Sequence, residues 1–363
     1  MKIESIEVWR MNLGNTRPYT IAFKTVDDVD CVFVKLNLEN STFGLGAGNP
    51  SQQVVGESLD DTLNTLSEEN LEFLIGRDIR EFYGLLDEVV RNFPKTPAAR
   101  AALDIAIHDA FTKHLGVPLA MFLGQKIRSM ATSVTIGIKN VEDTLKEAQE
   151  YYEMGFRVLK VKTGKDVDED IERMVKLREV YGNQMIVRVD ANQGYDVAAL
   201  KKFYDKTGKL DIELIEQPTP AMDIQLLKQL PDPIKAIIAA DESLLSPKDA
   251  FTLASPPGAS GIFNIKLMKS GGIYPGRQIA MIADVSGTDL MWGCNDESAV
   301  SISAALHTAL CFSNTKYLDL DGSLDLVVDA VSGGFQIKDG WMSVTDKPGL
   351  GVELLQQVSG GTL

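Results

Sequence analysis

Five charged residues recur at intervals that point to one catalytic mouth. Lys162, Asp190, Glu216, Asp241 and Lys266 lie 28, 26, 25 and 25 residues apart. Each closes an apolar run: VLKVK, MIVRVD, IELIE, AIIAAD and GIFNIK. A parallel strand buried on both faces is apolar throughout, so a charge at its end needs a reason. An interval of that size is one strand–helix unit, and in a barrel of such units every strand ends at the same mouth. Unrelated surface charges at loop starts are the plainer alternative, but five in register would then be coincidence.

Asp190, Glu216 and Asp241 would be three carboxylates meeting in a partly dry place. Without a cation they would repel one another and take up protons. A donor set made only of oxygen suits a hard ion such as Mg²⁺, one per chain. The three histidines, His108, His114 and His307, stand at no strand end, which argues against zinc. His108 and His114 fall on a helical pattern and read as ordinary helix residues. Lys160 and Lys162 share a strand face, since residues i and i+2 point the same way. Two ammonium groups side by side, partly buried, lower each other's proton affinity. A lysine that serves as a base at neutral pH needs a pKa of about 7–8 rather than about 10.4. Lys266 comes from the other side of the ring. A base on either face of a metal site favours proton abstraction next to a carboxylate, with the ion taking up the developing charge.

The elements that position these residues follow from the periodicity. SVTIGI (133–138), VLKVKTG (158–164), MIVRVDANQ (185–193), IELIEQP (212–218), AIIAADES (236–243), GIFNIKLMKSGG (261–272), DLMWGCNDES (289–298) and TKYLDLDG (315–322) read as strands with helical stretches between them. Eight such units predict a (β/α)8-type barrel; the last has no clear helix of its own. Residues 3–9 and 31–40 read as earlier strands, and FGLGAGNP (43–50) reads as a break after them. PAARAALDIAIHDAFTKHLG (97–116) reads as a helix stopped by Gly116. The expected division is an α+β capping domain over 1–125, the barrel over 126–322 and a Gly-rich tail, 323–363, that returns to the first domain.

Composition sets outer bounds. The chain has 363 residues, 44% hydrophobic, enough for a barrel plus a smaller domain. A net charge of −15 repels phosphate backbones, so nucleic acid is not an expected partner. Cys31, Cys294 and Cys311 have neither paired nor metal-like spacing, which suits a reducing cytoplasm. Nothing in MKIESIEVWRMNLGNTRPYT reads as a signal peptide or a membrane span.

KVK at 160–162, VDANQ at 189–193, IEQP at 215–218, ADES at 240–243 and NIKLMKSGG at 264–272 resemble the barrel motifs of the enolase superfamily, muconate-lactonizing subgroup. The resemblance spans most of the chain and implies a (β/α)7β barrel with a capping domain built from the N-terminal segment and the tail. It implies that Asp190, Glu216 and Asp241 hold Mg²⁺, that Lys162 and Lys266 are the acid/base pair, and that Lys160 helps hold the substrate carboxylate. The mandelate-racemase branch, with its His–Asp dyad, is disfavoured: Lys266 fills the sixth strand, and the seventh ends in Gly293-Cys294-Asn295. In YLDLDG, Asp319 and Asp321 look like the Asp-x-Asp motif of dipeptide epimerases such as the L-Ala-D/L-Glu type, where it binds the substrate's N-terminal ammonium. An acidic pair suits an ammonium and not a muconate dianion. Thr135 and Cys294 fall where this family contacts the substrate backbone, and Lys24 where its capping loop touches the second side chain. Such barrels are often homo-oligomers.

The resemblance therefore implies a dipeptide epimerase that inverts the Cα of the C-terminal residue through an ene-diolate. The same ring of residues also serves cycloisomerases, o-succinylbenzoate synthases and N-acylamino-acid racemases. A non-catalytic barrel that binds carboxylates would not need lysines on both faces.

Overall fold

The computed structural model describes residues 1–17, 28–222 and 224–355, with the backbone of 19–20 and 25–26. Eight parallel strands form one sheet in which each is hydrogen-bonded to its neighbour in sequence. They are Val134–Ile136, Val158–Lys162, Ile186–Asp190, Ile212–Glu216, Ile238–Ala240, Ile262–Ile265, Asp289–Gly293 and Thr315–Asp319, the first to eighth barrel strands. Thr132 bridges to Leu318, and the Ser133 N–H donates to the Leu318 carbonyl at 3.0 Å. These contacts bring the eighth strand back beside the first, so the sheet is a near-closed barrel. All eight expected strands are present, and their ends share a register: Lys162 lies opposite Asp190, and Asp190 opposite Glu216.

Local chemistry starts the outer helices. Asn140, Asp166 and Asp196 each accept backbone N–H groups at the first turn of Val141–Glu153, Val167–Tyr181 and Val197–Thr207. A cap of this kind contributes about 1 kcal/mol. Among the described residues, no helix follows the eighth strand.

The capping domain is an antiparallel sheet of Ile3–Asn12, Asp30–Leu38 and Phe43–Gly48, backed by the helix Pro97–Leu115. The expected break at 43–50 is corrected here, because Phe43–Gly48 is the third strand. Its glycines serve close approach, not a turn. A Cβ on Gly44, Gly46 or Gly48 would lie 2.1, 1.8 or 2.5 Å from the carbonyl oxygens of Ala106, Ala102 and Ala98. The helix stripe of alanine can sit on that strand only because the strand carries no side chains there. The helix ends as expected at Gly116, which takes the left-handed conformation (φ 72°).

Residues after the eighth strand touch the first domain at two places. The Val327 and Val328 N–H groups donate to the Leu13 carbonyl, and the Leu350 N–H donates to Asp109 at 2.8 Å. No helix among the described residues is long and apolar enough to cross a membrane.

Candidate active site

A cavity of about 950 Å³ lies over the barrel mouth. Residues of the capping domain from Asn49 to Leu59 line it on one side. Thr135, Lys160, Lys162, Asp241, Lys266, Cys294, Asp319 and Asp321 line it on the other. Asp190 and Glu216 are wholly buried and reach the same lysines from beneath. The barrel thus gathers every residue singled out on its strands. Lys24 lies outside the described residues.

The charges interleave. Lys162 Nζ is 2.6 Å from Asp190 Oδ2. Lys266 Nζ is 2.9 Å from Asp241 Oδ2 and 3.9 Å from Glu216 Oε1. Lys160 Nζ lies 3.3 Å from Glu216 Oε2 and 3.6 Å from Asp190 Oδ2, and donates to Asp319. Lys269 donates to Asp241.

At Lys160 these partners oppose the lowering of proton affinity expected from its pairing with Lys162. Burial alone would lower it at Lys266, but Asp241 and Glu216 outweigh burial and hold the ammonium well above its ordinary value. Lys160 behaves alike: burial opposes, while Asp319, Glu216 and Asp190 raise it well above the usual value. The neighbouring carboxylates, not the neighbouring lysine, set the balance. Among the carboxylates, burial pushes Glu216 up to about 8, with Asp190 adding repulsion. Asp190 and Asp241 remain below the usual carboxylate range. Burial opposes this, and it is overcome by Lys162 and Lys160 at Asp190, and by Lys266 and Lys269 at Asp241.

Among the described residues, no three Asp, Glu, His or Cys side chains are gathered closely enough to form a ready metal cluster. Ammonium groups stand between the three carboxylates instead. The donor set nevertheless fits a hard cation. Glu216 Oε2 is buried and accepts no hydrogen bond, although Lys160 lies at ion-pair distance. That free oxygen, with the carboxylates of Asp190 and Asp241 held beside the same ammonium groups, suits a hard ion such as Mg²⁺.

The eighth strand separates its two carboxylates. Asp319 accepts from Lys160 and from Ser133 Oγ at 2.7 Å, so it is committed to the barrel. Asp321 Oδ2 accepts the Thr135 N–H at 2.7 Å, and Oδ1 is 4.0 Å from Cys294 Sγ. Burial, with Asp319 close by, pushes Asp321 up to about 7. Cys294 donates to the Asp319 carbonyl, and burial holds its thiol well above the usual value.

Sequence reasoning passed over several residues at the mouth. Asn264 Nδ2 donates to Glu216 Oε1 at 2.7 Å, and Asn192 Oδ1 accepts from Lys162 at 3.1 Å. Gln217 Oε1 accepts the Asp241 and Ser243 N–H groups. Asn264 precedes Lys266 by two and so shares its face, a signal the sequence offered. Asn192, Gln217 and Glu242 each stand beside a singled-out carboxylate, within motifs already noted.

Two family models match the chain. One described as the N-terminal domain of mandelate racemase / muconate lactonizing enzyme covers residues 5–124, and one described as enolase C-terminal domain-like covers 143–358. The L-Lys-D/L-Arg epimerase of Desulforapulum autotrophicum is 50% identical over 97% of this chain and 99% of its own. The L-Ala-D/L-Glu epimerase of Bacillus subtilis is 32% identical over 97% of each. A crystal structure of the Methylococcus capsulatus dipeptide epimerase, complexed with Mg and the dipeptide L-Arg-D-Lys, superposes with a TM-score of 0.96. It is 50% identical and covers 97% of this chain and 99% of that one. Motifs, barrel and relatives agree: the chain belongs to the mandelate racemase / muconate lactonizing enzyme family of the enolase superfamily.

Proposed function

We propose that the chain is a magnesium-dependent dipeptide epimerase that inverts the Cα of the C-terminal residue with two lysines. One observation carries the reading: Lys162 and Lys266 end the second and sixth strands of an eight-stranded ring, and both line one cavity. Four strands apart in a ring of eight is diametric, so a substrate between them presents one face to each. One lysine takes the α-proton, and the other returns one to the opposite face. Asp190, Glu216 and Asp241 would hold the ion, which when bound supplies positive charge for the developing ene-diolate. Lys160 adds a buried positive charge on the same side. Asp321 faces the cavity where a dipeptide's ammonium would lie.

The cavity also supports a substrate class. Twelve Asp and Glu side chains line it against six Lys and Arg. Such a lining favours dipeptides with cationic side chains, in keeping with relatives named for Lys and Arg substrates. The division into a capping domain (1–125), barrel (126–322) and returning tail (323–363) belongs to the same proposal. So do homo-oligomeric assembly and a cytoplasmic location, the latter supported by three free, buried cysteines.

The test is incubation of L-Arg-L-Lys and L-Ala-L-Ala in D₂O with Mg²⁺. The reading predicts a deuterated L,D diastereomer, formed faster from the cationic dipeptide. Deuterium uptake without inversion, or no uptake from any dipeptide, would contradict it.

A further inference from the structure

Behind Lys162, at the end of the second barrel strand, lie two side chains that the proposed reaction does not use, Asn192 and Glu242. Asn192 Nδ2 donates to Glu242 Oε1 at 3.2 Å. Lys162 Nζ donates to Asn192 Oδ1 at 3.1 Å. All three residues are 9% exposed or less and line the cavity. An amide has one donating and one accepting end, whereas an ionised carboxylate only accepts. With Nδ2 turned to Glu242, Oδ1 is left facing the lysine. The Asn192 backbone N–H also donates to Asp190 Oδ1 at 3.0 Å, so one residue holds both Lys162 and its ion-pair partner.

The backbone here is shaped for the task. Asn192 has φ 41° and Gln193 φ 67°, in the left-handed region that asparagine tolerates better than most residues. The Ala191 N–H donates to the Glu216 carbonyl and the Gln193 N–H to the Gln217 carbonyl, at 3.1 and 2.7 Å, which pins the turn on either side.

We infer that Asn192 is a positioning residue for Lys162, and that Glu242 fixes the orientation of its amide. The inference rests on the proposed two-lysine reaction. A lysine on a flexible stem must be aimed before it can take a proton from one face. Lys162 has two side-chain partners among the described residues, Asp190 and Asn192. Asp190 is a proposed ligand of the ion, so Asn192 is the partner with no other assigned duty. Lys266 makes its contacts with Asp241 and Glu216. Loss of the Asn192 amide should therefore disturb one face only.

The experiment uses single-lysine enzymes and the dipeptides above. In Lys266→Ala, Lys162 alone exchanges the α-proton of one stereoisomer with D₂O. Adding Asn192→Gly, which suits φ 41° but lacks the amide, should slow that exchange about ten- to a hundredfold. Adding it to Lys162→Ala should change exchange of the other stereoisomer less than about twofold, on the same geometric grounds. Glu242→Ala should show the same one-sided loss, smaller in size. Equal losses in both backgrounds, or none in either, would overturn the inference. If the wild type exchanges nothing, the reaction itself is wrong. A crystal structure of Asn192→Gly then still decides the placement: a shifted Lys162 Nζ supports the inference, and an unmoved one overturns it.

Discussion

Lys160 and Asp319 form an ion pair with side chains only 3% and 1% exposed. The pair divides the labour of the eighth strand. Asp319, also held by Ser133, is tied to the barrel, and Asp321 is the carboxylate proposed to receive the substrate ammonium. A charge-assisted hydrogen bond of that kind is worth roughly 1.5–3 kcal/mol. Asp321→Asn should therefore lower kcat/KM for free dipeptides by about one to two orders of magnitude. N-acetylated dipeptides, which lack the ammonium, should be poor substrates for the wild type. Unchanged turnover after acetylation would point instead to N-acylamino-acid racemisation.

Asp319→Asn should act on stability more than on recognition. It removes the charge from one of three carboxylates around a buried ammonium and leaves Glu216 and Asp190 at 3.3 and 3.6 Å. Breaking a buried pair costs about 3–5 kcal/mol, and the remaining carboxylates place this change at the lower end. Urea unfolding measures it, and a loss below about 1 kcal/mol would show that the pair is dispensable.

Chelation tests the carboxylate ring. EDTA should abolish epimerisation, and Mg²⁺ should restore it better than Zn²⁺, because the donors are all oxygen. Asp241→Asn should weaken Mg²⁺ binding measured directly by calorimetry. Full activity in chelator would remove Asp190, Glu216 and Asp241 from the role proposed for them.

Acid should cost stability at a site far from chemistry. Burial pushes His307 down to about 4, and its Nδ1 accepts the Ala120 N–H at 2.9 Å. The unfolded chain, with an ordinary histidine near 6.5, binds the proton more readily than the folded one. The contribution of neutral His307 is thus complete above about 6.5 and is lost as pH falls towards 4. A gap of that size corresponds to about 3 kcal/mol. The stability difference between wild type and His307→Gln should shrink over that range. A constant difference would mean that His307 does not titrate as the burial requires.

Much of this was legible in the sequence because the physics of buried parallel strands is strict. A charge closing an apolar run has few explanations, so the ends at Lys162, Asp190, Glu216, Asp241 and Lys266 announced both the barrel and its mouth. Phe43–Gly48 misled because glycine signals a turn when read locally, whereas here it makes room for Ala98, Ala102 and Ala106 on a helix fifty or more residues away. The proton affinity of Lys160 misled for a related reason. Sequence pairs Lys160 with Lys162, but the fold surrounds the lysines with carboxylates from other strands. Asn192 and Asn264 went unread because a neutral amide next to a charge shows its role only once its partners are in place.

The proposed reaction sets two lysines on opposite faces of one α-carbon. Its most direct measurement is stereospecific α-proton exchange in D₂O by Lys162→Ala and Lys266→Ala, with each diastereomer of the same dipeptide. Neither variant should epimerise, and each should exchange the proton of one diastereomer only, the two variants choosing opposite ones. If either variant epimerises at near the wild-type rate, or if both exchange the same diastereomer, the two-face mechanism is wrong.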